Sequence, residues 1–371
     1  MGGCPPATGL RSVDHPNPRH ERYGSDPTHA ASRPVTASST PLRTAVVGVG
    51  YLGRFHAQKY AAHPECDLVA VVDPDEARRH EVATEVGAEA LAAHADLLGR
   101  VDAVSIVSPT RSHHAVARDL LEGGIHVLVE KPITVTADEA RELVAIAEAN
   151  GLVLQVGHLE RFNAAILGVA PLLSEPRFIE GHRLAPFNPR GADVSVVLDL
   201  MIHDVDLILN MVRSPIVSID ANGASVISDE PDIANARIGF ESGCVANLTA
   251  SRVTPRVERK LRIFQRHAYM SIDLHARKTA VYQLGGDGMP TPLPGITMKH
   301  ADYPEGDALA TEIDAFVHSI RTGEPPVVSG DDGRRALETV IEIARLVGDE
   351  AALDAAAAGG AGPGAPSGGE R

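Results

Sequence analysis

The feature that most restricts this chain is the hexapeptide Gly48-Val49-Gly50-Tyr51-Leu52-Gly53. It follows the β-rich run Arg43–Val47 and opens a helical stretch from Tyr51 to about His63. Glycines in this spacing are common in loops, but between a strand and a helix they read as the first turn of a dinucleotide-binding unit. Gly48 permits the tight turn, Gly50 lets the backbone approach a pyrophosphate, and Gly53 allows close packing of helix on strand. The helix N-terminus, at Tyr51 and Leu52, offers N–H donors to the phosphates. Twenty residues after Gly53, Asp73 ends the next apolar run. A carboxylate there accepts from the adenosine ribose and repels a 2′-phosphate, which favours NAD over NADP. Arg78 and Arg79, close by, pull the other way.

From that turn onward strand and helix alternate. Leu68–Val72, Val101–Val107, His126–Glu130 and Val153–Val156 are continuous apolar runs. Helical periodicity fills Glu76–Val86, Ser112–Leu121 and about Asp138–Asn150. Such strands belong to a parallel sheet covered on both faces. The pattern changes after about residue 157. Arg177–Pro186, Ile216–Ile227, Asn235–Ser251 and Leu261–Leu284 alternate, which predicts a mostly antiparallel sheet. A helix over about Ser195–Val212 interrupts them, and helices over Asp307–Arg321 and Gly333–Val347 are expected to pack back on the earlier layers. The expected fold class is α/β: a doubly wound Rossmann sheet over 42–157, then an α+β substrate and oligomerisation domain over 158–348. Residues 1–41 and 349–371 are low in complexity and are expected to be disordered tails.

Composition excludes several functions. A net charge of −15 is wrong for a nucleic-acid partner. Three distant cysteines, Cys4, Cys66 and Cys244, support neither a disulfide framework nor a zinc–cysteine site. The start Met1-Gly2-Gly3-Cys4 carries Pro6 where a myristoylation pattern needs Ser or Thr. No apolar run reaches the length of a membrane span. The expectation is a cytoplasmic protein without membrane insertion.

Ser108-Pro109-Thr110, His113, the run ending Glu130-Lys131-Pro132, and the pattern Asp199-x-x-x-His203-x-x-Asp206 together resemble the Gfo/Idh/MocA family of oxidoreductases. The resemblance spans about Leu42 to Val347. It implies a Rossmann domain joined to a large sheet with one open face, often used for assembly into a homodimer or homotetramer. It also implies that Ser108, Pro109, Thr110, His113 and Glu130 flank the cofactor, that a cis peptide precedes Pro132, and that Lys131 sits beside the nicotinamide and the reacting carbinol. Independently of the family, a lysine at the C-terminal end of a strand reaches the crevice where such sheets bind ligands. Its charge there stabilises an alkoxide as hydride leaves.

On a helix, spacings of four and three put Asp199, His203 and Asp206 on one face of an otherwise apolar segment. His203 is suited to general-base work near neutral pH, with Asp199 and Lys131 sharing its network. Whether Lys131 or His203 takes the proton stays open at this point. A capped, salt-bridged structural histidine and a divalent-metal site on the same three residues are the competing readings, and the resemblance points to a reaction without metal.

The stretches 156–163 (VGHLERFN), 193–209, 232–240 and 245–252 resemble more narrowly the branch of the family that oxidises the 3-hydroxyl of UDP-N-acetylglucosamine. The resemblance implies a ketone product bound for an aminotransferase and a 3-amino sugar of lipid A. Such a substrate needs diphosphate partners: Arg161, Arg183 and Arg190 are candidates, with Asn163 as a sugar contact. Another sugar or polyol dehydrogenase, of the inositol or glucose type, is the alternative within the class. A non-catalytic NAD-binding sensor is the alternative outside it, and it would not need both Lys131 and His203.

Overall fold

Apolar strands without a polar face need cover on both sides, and five of them, with one short edge strand, assemble into one parallel sheet. They are β1 (Leu42–Val47), β2 (Cys66–Val72), β3 (Glu89–Leu91), β4 (Ala103–Ile106), β5 (His126–Glu130) and β6 (Leu154–Gly157), ordered β3-β2-β1-β4-β5-β6. Helices α1 (Tyr51–Ala62), α2 (Glu76–Val86), α3 (His113–Glu122) and α4 (Ala137–Asn150) join them. The strand order reverses between β1 and β4, the place where sheets of this kind lodge ligands. The computed structural model describes residues 40–187 and 195–349. Most of both expected tails, and Arg190, lie outside the described residues.

The second sheet has nine strands: β7 (Pro176–Leu184), β8 (Ile216–Ala224), β9 (Ile233–Phe240), β10 (Val245–Ser251), β11 (Glu258–Gln265), β12 (Ala268–Asp273), β13 (Lys278–Leu284), β14 (Met289–Pro290) and β15 (Ile296–Asp302). Their order is β14-β15-β13-β12-β11-β7-β10-β9-β8, antiparallel except where β7 meets β10. Alternation sorts its residues by face. Ile179, Ala236, Ile238, Leu248, Leu261, Ile263, Met270 and Ile272 are buried on the inner side. Across the other side runs a row of rings: Phe178 lies 5.8 Å from Phe264, Phe264 4.7 Å from Tyr269, and Tyr269 5.4 Å from Tyr282.

Four further helices complete the chain: α5 (Ala164–Val169), α6 (Ile202–Val212), α7 (Ala308–Thr322) and α8 (Gly330–Val347). The last two do return to the earlier layers. Leu309, Ile313, Phe316 and Val317 of α7 join Val46, Val49, Ala57 and Tyr60 in one core, while α8 buries Leu337, Val340 and Ile343 in the other. Ser329 and Asp332 close a capping box at the start of α8, satisfying donors the first turn leaves free.

One buried group in this packing is costly. Glu312 of α7 is fully buried, and neither carboxylate oxygen has a hydrogen-bond partner among the described residues. Its nearest titratable neighbours are His56 of α1 and Glu130 of β5, whose own atoms stand 3.3 Å apart. Burial, then the charge of Glu130, pushes the Glu312 carboxyl well above the usual carboxylate range. The folded protein therefore keeps a proton here that the unfolded chain releases from its ordinary value near 4.5 upward. The associated stability is complete at low pH and is lost as pH rises through the raised value. Glu312→Gln removes that loss. In melts from pH 5 to pH 8 the variant should gain on the native protein as pH rises, by up to about 1.4 kcal/mol per unit. A difference that does not change with pH would contradict this account.

Candidate active site

The glycine turn is shaped by its neighbours. Gly48 has φ of 85°, and a Cβ on it would meet the Ser108 backbone nitrogen at 2.6 Å; one on Gly53 would meet the Gly48 carbonyl oxygen at 1.8 Å. A Cβ on Gly50 would meet nothing within 4 Å among the described residues beyond its chain neighbours. Gly48 and Gly53 are thus demanded by the chain itself, whereas Gly50 leaves an open cradle that a side chain would fill. The start of α1 has no side-chain cap and no acid in its first turn, so its N–H groups face that cradle unopposed. This fits a dinucleotide pyrophosphate.

Asp73 pins the turn: Oδ2 accepts from Val49 N at 3.0 Å and Oδ1 from Asp75 N at 2.9 Å. Arg78 Nη1 is 3.8 Å from the same carboxylate. Tyr51 is 86% exposed, at the rim of a cavity of about 480 Å³ that also holds Gly50 and Arg78. After β4, the Ser108 hydroxyl hydrogen-bonds that of Ser112, with Pro109 exposed and Thr110 half-buried on the same loop. His113 is buried behind this loop, its ring within hydrogen-bond reach of Ser108 O (2.8 Å) and Pro132 O (3.0 Å). It ties the loop after β4 to the turn after β5 and offers no free atom to a ligand. Glu130 Oε2 accepts from Lys131 N at 3.2 Å, so its carboxylate lies under the turn. The Lys131–Pro132 peptide is cis.

Lys131 Nζ donates to Asp199 twice, at 3.1 Å to Oδ1 and 3.1 Å to the backbone oxygen. Asp199 and His203 then line a second cavity, also about 480 Å³. The expected common face with Asp206 does not form. The segment opens with a π-type turn over Val197–Met201 before α6 begins, which takes Asp199 out of the α-helical register. Asp206 is buried instead in a two-pronged pair with Arg161, Nε and Nη2 both at 2.7 Å. Asp204, which spacing did not single out, holds Arg183 in the same way at 3.2 and 2.8 Å.

These pairs account for residues expected to bind substrate. Arg161 does not reach the cavity lining. Arg183 does, but Glu160 also takes its Nη1 at 2.9 Å. Asn163 lines the cavity with its amide spent on Glu160 and Leu274 O, both at 3.1 Å, and its oxygen on Ala165 N. The lining also includes Arg259, His275 and Arg277, none of them found by motif or spacing.

His203 is half-buried, with Nδ1 buried and unpartnered among the described residues. Burial, then the charges of Lys131, Arg183, His158 and Arg259, holds its pKa well below 6.5. His158, fully buried with no partner for either ring nitrogen among the described residues, is lowered too, chiefly by burial. A neutral imidazole beside a charged lysine can accept a proton from a hydroxyl at neutral pH.

Comparisons with known proteins agree with this geometry. Residues 42–158 match the Gfo/Idh/MocA family described as "Oxidoreductase family, NAD-binding Rossmann fold". Residues 174–270 match the Gfo/Idh/MocA C-terminal domain. The chain is 41% identical over 303 residues to the UDP-N-acetylglucosamine 3-dehydrogenase of Acidithiobacillus ferrooxidans, covering 81% of this chain and 96% of that protein. A solved structure of that enzyme superposes with a TM-score of 0.78, over 82% of this chain and 97% of the other. The NAD-dependent scyllo-inositol 2-dehydrogenase of Bacillus subtilis is 29% identical over 233 residues, 58% of this chain and 68% of that protein.

Proposed function

This chain belongs to the Gfo/Idh/MocA family of NAD-binding oxidoreductases, and from that premise we propose that it oxidises the 3-hydroxyl of UDP-N-acetylglucosamine to a ketone. It is an NAD-dependent dehydrogenase acting on the CH–OH group of a sugar. The observation that carries the choice of sugar is the 41% identity sustained over 96% of the Acidithiobacillus ferrooxidans enzyme.

Bound NAD supplies the acceptor for the carbinol hydrogen, and the glycine turn with Asp73 would hold it. The protein's own share is the other half of the balance. As the C–H bond gives up its hydrogen with both electrons, the O–H proton must leave, and the C=O bond forms. In this reading Lys131 stabilises the developing alkoxide, and His203 takes the proton because its ring is neutral. Asp199 holds Lys131 Nζ and directs it.

The open sheet face, with its row from Phe178 to Tyr282, supports assembly as a homodimer or homotetramer. No helix among the described residues is long and apolar enough to cross a membrane. A cytoplasmic setting, and an aminotransferase that consumes the ketone on the way to lipid A, belong to the same proposal.

The test is NADH formation from NAD with UDP-N-acetylglucosamine, its uronic acid, UDP-glucose and myo-inositol, each run with an aminotransferase and glutamate to remove ketone. Turnover confined to UDP-N-acetylglucosamine is the expected result; turnover of inositol alone would overturn the substrate. The same assay reads His203. Because its pKa is held below 6.5, kcat/KM should stay level from pH 7.5 down to 6.5 and fall only below that. An acid limb centred at or above 6.5 would exclude His203 as the base.

A further inference from the structure

The nucleotide-sugar reading leaves the diphosphate without a partner, because the arginines expected for it are engaged. Arg183 is 3% exposed and has donors on Asp204 and Glu160; Arg161 is closed off with Asp206. Two other guanidinium groups of the cavity are in a different state. The Arg259 side chain is 48% exposed, and its acid neighbour Glu160 stands 3.6 Å away, already held by Arg183 and Asn163. The Arg277 Nε is buried with no hydrogen-bond partner among the described residues. Its nearest acid, Glu305, is 3.9 Å away with a side chain 85% exposed.

The segment carrying Arg277 is held in place. Leu274 N donates to Arg259 O at 2.8 Å, Ala276 N to Asp273 Oδ1 at 2.8 Å, and Tyr303 N to Arg277 O at 2.9 Å. Asn163, in the segment after β6, reaches Leu274 O from below. Arg277 itself sits at φ of 55°, in the left-handed region that non-glycine residues enter only when their surroundings hold them there.

Charge bookkeeping then decides the ligand. In this cavity Arg183 is balanced by Asp204 and Glu160, and Asp199 by Lys131. Arg259 and Arg277 remain the least engaged cations of the cavity, one 3.6 Å from a Glu160 that Arg183 already holds, the other 3.9 Å from an exposed Glu305. Two positive forks at the mouth of a cavity of about 480 Å³, beside Asp199 and His203, suit an anion with several acceptor oxygens. We propose that Arg259 and Arg277, with His275 as an added donor, form the subsite that takes the diphosphate of the substrate. This rests on the nucleotide-sugar reading and deepens it: specificity would lie in the β11 strand and the β12–β13 turn, away from the reacting carbon.

The test uses the full-length enzyme with NAD. Arg277→Ala and Arg259→Ala should each raise KM for UDP-N-acetylglucosamine by about tenfold to a hundredfold, the range of a hydrogen bond to a charged group. KM should carry the effect rather than kcat. Arg277→Lys, which keeps the charge and loses the fork, should fall between. Direct titration with UDP, read by calorimetry, should weaken by the same factors. Unchanged KM and unchanged UDP affinity in an enzyme that turns over UDP-N-acetylglucosamine would overturn the subsite alone. A native protein that neither binds UDP nor oxidises the nucleotide sugar would overturn the reading beneath it as well. Loss of UDP affinity in the variants of an enzyme that oxidises a different UDP-sugar would keep the subsite and correct only the sugar.

Discussion

Lys131→Ala is expected to lower kcat/KM by about a hundredfold to a thousandfold, the scale on which one preorganised donor to a developing oxyanion acts. The lysine directly follows β5, at the cis bond to Pro132, and its ammonium is held by two oxygens of Asp199 at 3.1 Å each. That hold fixes where the charge sits before substrate arrives, so little is spent on reorganisation in the transition state. The same charge acts on His203, where it is second only to burial in holding the pKa down. Removing it should therefore raise the His203 pKa and move the acid limb of the residual activity to higher pH. A purely structural lysine would move neither quantity in this way. Activity within about fivefold of the native enzyme, with an unmoved acid limb, would remove Lys131 from the chemistry.

Much of the cofactor side was legible because its constraints are local. The distance from Gly48 to Gly53 is a property of one turn, and the turn shows why: side chains at either end would strike the Ser108 backbone or Gly48's own carbonyl. The bounds of α2 and β5 are those their periodicity predicts. β3 was missed because a three-residue edge strand, Glu-Ala-Leu, carries no apolar run. The alternating stretch 261–284 conceals two turns, since His267 and Arg277 take positive φ without the glycine that usually marks such places. The substrate side was less legible for a different reason. Whether an arginine is free or engaged depends on acids far away in sequence, as Arg161 depends on Asp206 and Arg183 on Asp204. The spacing of Asp199, His203 and Asp206 assumed an α-helical register that the π-type turn breaks. Arg259 and Arg277 lie on a strand and a turn with no motif around them, and only the cavity brings them together.

Asp206 and Asp199, which spacing grouped together, should part company in the stability of their variants. Asp206→Ala leaves the Arg161 guanidinium, 4% exposed, without its two 2.7 Å acceptors; the next acid, Asp332, is 3.7 Å away. Stranding a buried charge in this way costs about 3–5 kcal/mol, enough to lower the melting temperature of a protein this size by roughly 5–8 °C. Asp199 has a side chain 52% exposed and, among the described residues, pairs with a lysine at the cavity edge. Its alanine variant should melt within about 1 kcal/mol of the native protein, the range of exposed ion pairs, while turning over more slowly. The double variant Arg161→Met with Asp206→Leu removes the stranded charge together with its partner, and it should recover most of the stability lost in Asp206→Ala. A native-like melt for Asp206→Ala would mean that water or Asp332 takes over the guanidinium. The Arg161–Asp206 pair would then be free for the role its spacing first suggested. The large loss expected here instead makes it the brace that holds α6, and with it His203, against the segment after β6.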